Sequence, residues 1–174
     1  LRSAAGAVAN LAVQPAARDQ IVSAGGIAPL VQLLGSPRQG EATYAATAIA
    51  RLSKDHEATQ AAVAEAGSIA PLVTLLDGQE GGGGADAQQE AAGALLALAD
   101  YKPNRLAITA AEGIGRLVNL LATNSMETRA HAEGVLLRLT METSNRSQII
   151  QSLVEMLRLA GMTGQEQAAA ALAN

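Results

Sequence analysis

Apolar residues recur along the chain at helical spacing, in segments separated by glycine and proline. The segment "AGGIAPLVQLL" (24–34) has near copies at 66–76 ("AGSIAPLVTLL") and at 111–121 ("AEGIGRLVNLL"). In the first copy, Leu30, Leu33 and Leu34 mark one stripe of a helix. The copies start 42 and then 45 residues apart. A period of about 20–50 residues predicts a solenoid of stacked repeats.

Two further segments accompany each copy, so we expect three helices in a repeat. A short amphipathic segment precedes the motif, and Gly25 and Gly67 stand where its helix should end, since glycine tolerates the left-handed backbone there. Pro29 and Pro71 come near the start of the next helix, where a missing N–H is harmless. An Ala-rich segment, the predicted third helix, recurs at residues 4–12, 45–53, 91–99, 132–140 and 168–174.

The order and spacing of these segments resemble the armadillo-repeat family, above all at "GGIAPLVQLL" (25–34) and "GAVANLA" (6–12). HEAT repeats are close relatives, but they usually have two helices and lack this opening motif. The resemblance covers almost the whole chain. It implies an all-α fold, a right-handed α-solenoid whose third helices line a concave face. The repeats then divide a single domain into a truncated third helix at 1–13, repeats at 14–53, 54–101 and 102–140, and a shortened, truncated repeat at 141–174.

The last repeat is shorter than the others. "NRSQI" (145–149) lies much closer to "LVEML" (153–157) than its counterpart "NRLAI" (104–108) lies to "LVNLL" (117–121). The glycine that would separate the first two helices is among the missing residues. Either the two helices fuse here or a segment is absent. Since the chain starts and stops inside third helices without polar caps, we also expect a fragment of a longer array.

Composition excludes several kinds of chemistry. The chain has no Cys, so disulfides and thiolate metal sites are ruled out, and its net charge of −4 argues against general nucleic-acid binding. The glycine-rich stretch 78–84 lacks the Gly-Lys-Ser/Thr of a phosphate-binding loop, and the acidic residues around it do not fit an EF-hand. We therefore expect a flexible loop there, and no metal or cofactor. No apolar run approaches the ~18 residues of a membrane span, and we expect a reducing compartment, the cytoplasm or the nucleus.

Enzyme chemistry finds no support in the residue pattern. Ser53, Asp55 and His56 are neighbours on one turn, whereas a catalytic triad converges from separate elements. We expect His56 to be a solvated loop residue. Asn104 and Asn145, each followed by Arg, are expected to cap the starts of their helices.

The third helices carry the candidate site. In the first of them Asn10 lies about 200° around the helix from the apolar Val8, so it should face away from the core. The residues three, four and seven positions earlier should share that side. The stripe predicts small residues in the middle of a shallow groove: Gly6 and Ala7, Thr47 and Ala48, Gly93 and Ala94, Gly134 and Val135, and Ala170 and Ala171. It places the candidate peptide-binding residues Asn10, Arg51, Arg138 and Asn174 at one position, with Tyr44, Glu90 and His131 at the groove edges.

The resemblance implies that this groove holds an extended peptide. Nuclear-import armadillo proteins place an Asn at the position of Asn10 and Asn174, where it binds the peptide backbone, and a Trp four residues earlier. This chain has no Trp, so the slots that hold a basic localisation signal are missing. Arg51 and Arg138 can donate to carbonyl or carboxylate groups, which favours a neutral or acidic segment, somewhat like the catenin type, although Glu90 weakens that preference.

Three functions remain open from the sequence. The first is a non-catalytic protein–protein interaction scaffold, with about ten ligand residues bound along the groove. The second is a structural element that associates end to end with other copies. The third is the substrate-recruiting part of a larger enzyme, such as a ubiquitin ligase.

Overall fold

The structure, a computed structural model, describes residues 1–38, 40–78 and 84–159. Within these ranges the chain forms eleven α-helices and no β-strand. They are α1 (Arg2–Leu11), α2 (Pro15–Ser23), α3 (Ile27–Leu34), α4 (Glu41–Ser53), α5 (Glu57–Glu65), α6 (Ile69–Leu75), α7 (Gly84–Leu98), α8 (Lys102–Ala110), α9 (Gly113–Leu120), α10 (Met126–Leu139) and α11 (Thr143–Leu159).

The helices follow one another in sets of three: α2–α4, α5–α7 and α8–α10. The third helix of each set packs against the third helix of the set before it, so that α1, α4, α7 and α10 contact one another in series. Each third helix also packs on the second helix of its own set. This is the all-α solenoid that the sequence predicts.

Small side chains allow the third helices to approach closely. Ala45, Ala91 and Ala132 occupy equivalent positions of α4, α7 and α10, and all three are fully buried. Larger apolar residues close the same core, including Leu52, Leu98 and Leu139 at the ends of those helices. Each such leucine contributes roughly 1.5–3 kcal/mol relative to an exposed one. The core therefore runs continuously from one repeat to the next.

Left-handed residues separate the first and second helices, as the glycine pattern predicts. Gly25 has φ 76° and follows the end of α2, and Gly67 has φ 84° and follows the end of α5. In the third set the same position is Glu112, with φ 61°. A side chain at this position strains the backbone, because Cβ approaches the following carbonyl oxygen.

The shortened repeat forms a single continuous helix. Helix α11 runs over 17 residues from Thr143 to Leu159 and packs on both α9 and α10. Ile149, Leu153 and Met156 are buried. The helix is therefore continuous at the point where the other repeats separate their first and second helices.

Side chains of the first helices cap the third helices that precede them. Asn104 is buried within α8, and its Nδ2 donates to the carbonyls of Leu98 (3.0 Å) and Gln60 (3.1 Å). Asn145 Nδ2 likewise donates to Leu139 O at 3.1 Å. The prediction that these asparagines cap the starts of their own helices is wrong, because both amides point back to the unpaired carbonyls that end a helix.

Polar contacts of the same kind join the other sets. Arg18 Nε donates to Ala12 O at 2.8 Å, and Gln60 Nε2 donates to Ser53 O at 3.0 Å. Arg105 is only 7% exposed and pairs with Glu142 at 2.9 Å. At every connection between a third helix and the next first helix in the described ranges, a side-chain donor therefore binds a carbonyl at the end of the third helix.

Glu41 begins α4 with a buried carboxylate. The hydroxyl of Ser36 donates to it at 2.6 Å, and Arg38 lies 3.7 Å away. The Ser36 hydrogen bond and then the charge of Arg38 lower the pKa of Glu41 below its ordinary value, against the opposing effect of burial. The negative charge also suits the first turn of a helix.

Candidate functional site

The exposed side of the serial third helices collects the predicted site residues. We call it the third-helix surface, defined by Asn10 on α1, Tyr44 and Arg51 on α4, Glu90 on α7, and His131 and Arg138 on α10. Each of these residues contacts the neighbouring third helix or the residues that directly follow it. Asn174, the remaining predicted site residue, lies outside the described residues.

One register repeats along this surface. The ring of Tyr44 lies against Gly6, where an added Cβ would be 3.4 Å away, and His131 lies against Gly93, where it would be 3.1 Å away. Between these two steps, Glu90 accepts a hydrogen bond from Thr47 Oγ1 at 2.8 Å. The edge residue of each helix therefore rests on the same position of the preceding one.

The two candidate arginines have different electrostatic surroundings. Arg51 Nη1 donates to Ala9 O at 2.7 Å and to Asn10 Oδ1 at 3.3 Å, and no carboxylate in the described ranges pairs with it. Arg138 Nε instead donates to Asp100 Oδ1 at 2.5 Å. Arg51 therefore keeps an uncompensated positive charge, whereas that of Arg138 is neutralised.

One of the two middle positions of the predicted stripe does not reach the surface in α4, α7 and α10. Ala48, Ala94 and Val135 are fully buried, which corrects the expectation that they line the groove. The reason is packing: α4 and α7 each contact a third helix on both sides and a second helix behind. A helix covered on three sides leaves only a narrow arc of its surface open to solvent. Residues close to the core side of the helix lie outside that arc.

The surface has a depression between α1 and α4. It has a volume of about 350 Å³ and is lined by Arg2, Ser3, Gly6, Ala7, Asn10 and Tyr44. The guanidinium carbon of Arg2 lies 5.5 Å from the centroid of the Tyr44 ring. Sequence reasoning missed both Arg2 and Asp100, because neither belongs to the repeated stripe and only the packing of successive helices brings them to it.

No triad-like arrangement forms at the turn after α4. Ser53 is buried in the core, and Asp55 adopts a left-handed backbone with φ 56°. His56 is exposed, as expected, and its Nδ1 accepts the backbone N–H of Thr59 at 3.2 Å, so it caps α5. The described residues also include no group of three or more His, Asp or Glu placed to hold a metal ion. None of the helices described is both long and apolar enough for a membrane span.

Comparisons with known proteins agree with this architecture. The sequence profile of the Armadillo/beta-catenin-like repeat matches residues 14–54. No curated protein sequence matches the chain significantly. Two engineered proteins of known structure are 31% and 30% identical to it, with TM-scores of 0.81 and 0.79; their alignments include 99% of this chain, which spans 43% of the first and 71% of the second.

A third solved structure connects the fold to a named class. It is a designed armadillo repeat protein in complex with the peptide (KR)4, 24% identical, with a TM-score of 0.75, and the alignment covers 99% of this chain and 74% of that one. Fold and surface together define an α-solenoid of three-helix repeats. The chain belongs to the armadillo-repeat family.

Proposed function

We propose that the chain is a non-catalytic protein-interaction scaffold that binds an extended peptide segment along the third-helix surface. One observation carries the proposal: the third helices pack in series with a constant register and present polar side chains at equivalent positions. Asn10, Arg51 and Arg138 are the proposed ligand contacts, with Tyr44, Glu90 and His131 beside them. By its place in the repeat, Asn174 is proposed as a further contact.

The spacing of the surface suits an extended chain. Packed helices lie roughly 8–10 Å apart, and an extended peptide advances ~3.3 Å per residue. Each repeat therefore spans about two or three ligand residues. An amide such as that of Asn10 offers both a donor and an acceptor to a peptide backbone, which repeats its own donor and acceptor along the groove.

The charges of the surface favour a neutral or acidic ligand. Arg51 has no carboxylate partner among the described residues, while the pairing of Arg138 with Asp100 and the presence of Glu90 limit the positive potential to one end. The designed relative was solved with a basic peptide. For this chain we expect the opposite preference at the α1–α4 end.

Selection from a random peptide library on the purified chain tests the proposal. Replacing both Arg51 and Arg138 with Ala should lower the affinity for the recovered peptides at least tenfold, which corresponds to about 1.4 kcal/mol of binding free energy. Calorimetry measures this affinity. Lys102→Ala with Arg158→Ala removes the same charge from exposed positions off the surface and should change the affinity little. Unchanged affinity in the first double variant would disprove the groove assignment.

A second candidate function is supported by an exposed apolar face on α1. Ala4, Ala7 and Leu11 are exposed there. By contrast, Leu52 and Leu98, which occupy the position of Leu11 in later third helices, are fully buried. A second copy of the chain could cover this face and join the molecules end to end. Light scattering at several concentrations separates the two functions, because only association makes the measured mass rise with concentration.

A further inference from the structure

The depression between α1 and α4 differs from the rest of the third-helix surface in its chemistry. Its polar lining consists of Arg2, Ser3, Asn10 and Tyr44, with Gly6 and Ala7 as its floor. None of these side chains carries a negative charge. At the equivalent step between α4 and α7, the edge residue is Glu90.

Arg2 is held over this depression with its charge unpaired. Its guanidinium lies above the Tyr44 ring at 5.5 Å, a cation–π distance that orients it. Its Nε packs against Gly40, where an added Cβ would lie only 3.0 Å away. The nearby carboxylate of Glu41 is taken by Ser36 and Arg38. Among the described residues no carboxylate pairs with Arg2.

The orientation of the Asn10 amide follows from its neighbour. A guanidinium can only donate hydrogen bonds, so Asn10 must turn its Oδ1 towards Arg51 Nη1, at 3.3 Å. The Nδ2 donor is then directed away from Arg51. The depression therefore combines the Arg2 guanidinium, the Asn10 amide N–H groups and two hydroxyls that can donate.

We propose that this depression is a subsite for the side-chain carboxylate of an Asp or Glu in the bound peptide. Charge complementarity argues for that occupant: two uncompensated arginines, Arg2 and Arg51, flank an amide donor, and a carboxylate accepts several such hydrogen bonds at once. The subsite rests on the proposed function, since it selects one residue of a ligand held along the third-helix surface.

Peptides of fixed length test the subsite. Acetylated and amidated (Ala-Glu)5 should bind about fivefold more tightly than (Ala-Gln)5 at low salt, as measured by calorimetry. Arg2→Gln should remove most of that difference and Arg2→Lys should keep part of it. Arg158→Gln makes the same charge change on α11 and should leave the difference intact. Asn10→Asp, which adds a carboxylate to the depression, should lower the affinity for (Ala-Glu)5 without lowering the affinity for (Ala-Gln)5.

Several results would overturn the subsite. One is equal affinity for the two peptides, and another is an equal loss in Arg2→Gln and Arg158→Gln, which would indicate a general charge effect. A third is (Ala-Gln)5 with a free C-terminus binding as tightly as (Ala-Glu)5, since the depression would then hold a terminal carboxylate. If library peptides still depend on Arg51 and Arg138, only the subsite falls; if they do not, the proposed function falls as well.

Discussion

At the scale of single residues, one left-handed position in each repeat decides how the first helix ends. Gly25 and Gly67 occupy it without strain, whereas Glu112 occupies it at φ 61°. The glycines could be predicted from sequence because only glycine takes this conformation freely. The strain at Glu112 could not be predicted, since in the motif "AEGIG" Gly113 is an equally good candidate for the left-handed position.

Replacing Glu112 with Gly should stabilise the chain. The left-handed backbone costs a residue with a Cβ about 1–2 kcal/mol, and glycine removes this cost. Part of the resulting gain in stability is lost because glycine has greater freedom in the unfolded chain. We expect a net gain of about 1 kcal/mol, or a rise in Tm of about 2–4 °C, by thermal unfolding. Glu112→Ala is the matched control and should give no gain. A fall in Tm for the glycine variant would contradict the strain argument.

Glu41 should make stability depend on pH. Because the Ser36 hydrogen bond lowers the folded pKa of Glu41 below 4.5, its contribution is complete above the unfolded pKa and is lost as the pH falls through the folded pKa. Glu41→Gln should therefore lower Tm at pH 7, and the difference from the unaltered chain should shrink at acidic pH. Glu133→Gln, at an exposed position of α10, should change Tm less at pH 7. A difference for Glu41→Gln that persists undiminished in acid would contradict this account.

At the scale of elements, the third helices depend on caps supplied by the following first helices. Asn104 and Asn145 were expected to cap their own helices because Asn near a helix start usually does so. Instead, each amide reaches a carbonyl six residues earlier. Local propensity misses this contact, because it needs the sharp reversal between the two helices that only the tertiary packing creates.

Removing one such cap should cost more than an ordinary surface change. Asn104→Ala leaves the carbonyls of Leu98 and Gln60 without that buried donor, which should lower the free energy of unfolding by about 1–3 kcal/mol. Urea unfolding measures it. Asn119→Ala, at an exposed position of α9, should change the free energy of unfolding by no more than about 0.5 kcal/mol. Equal effects of the two substitutions would show that the Asn104 contact adds nothing.

At the scale of the whole molecule, the repeat period and the helix types could be predicted from sequence, but the width of the exposed arc could not. The edge residues Tyr44, Glu90 and His131 do rest on the preceding helix, as their shared position in the repeat indicates. Ala48, Ala94 and Val135 are buried because each lies in a helix that packs on several neighbours. Helical periodicity gives the direction of a side chain, while the number of packed neighbours decides which directions remain open.

NMR mapping of a library-recovered peptide on the isotope-labelled chain shows which helices the ligand contacts. If successive third helices form one peptide-binding surface, the largest shift changes will fall on the third-helix surface of α1, α4, α7 and α10, including Asn10, Arg51 and Glu90. Changes concentrated on the first helices α2, α5 and α8, or scattered over separate sides of the molecule, would contradict the account.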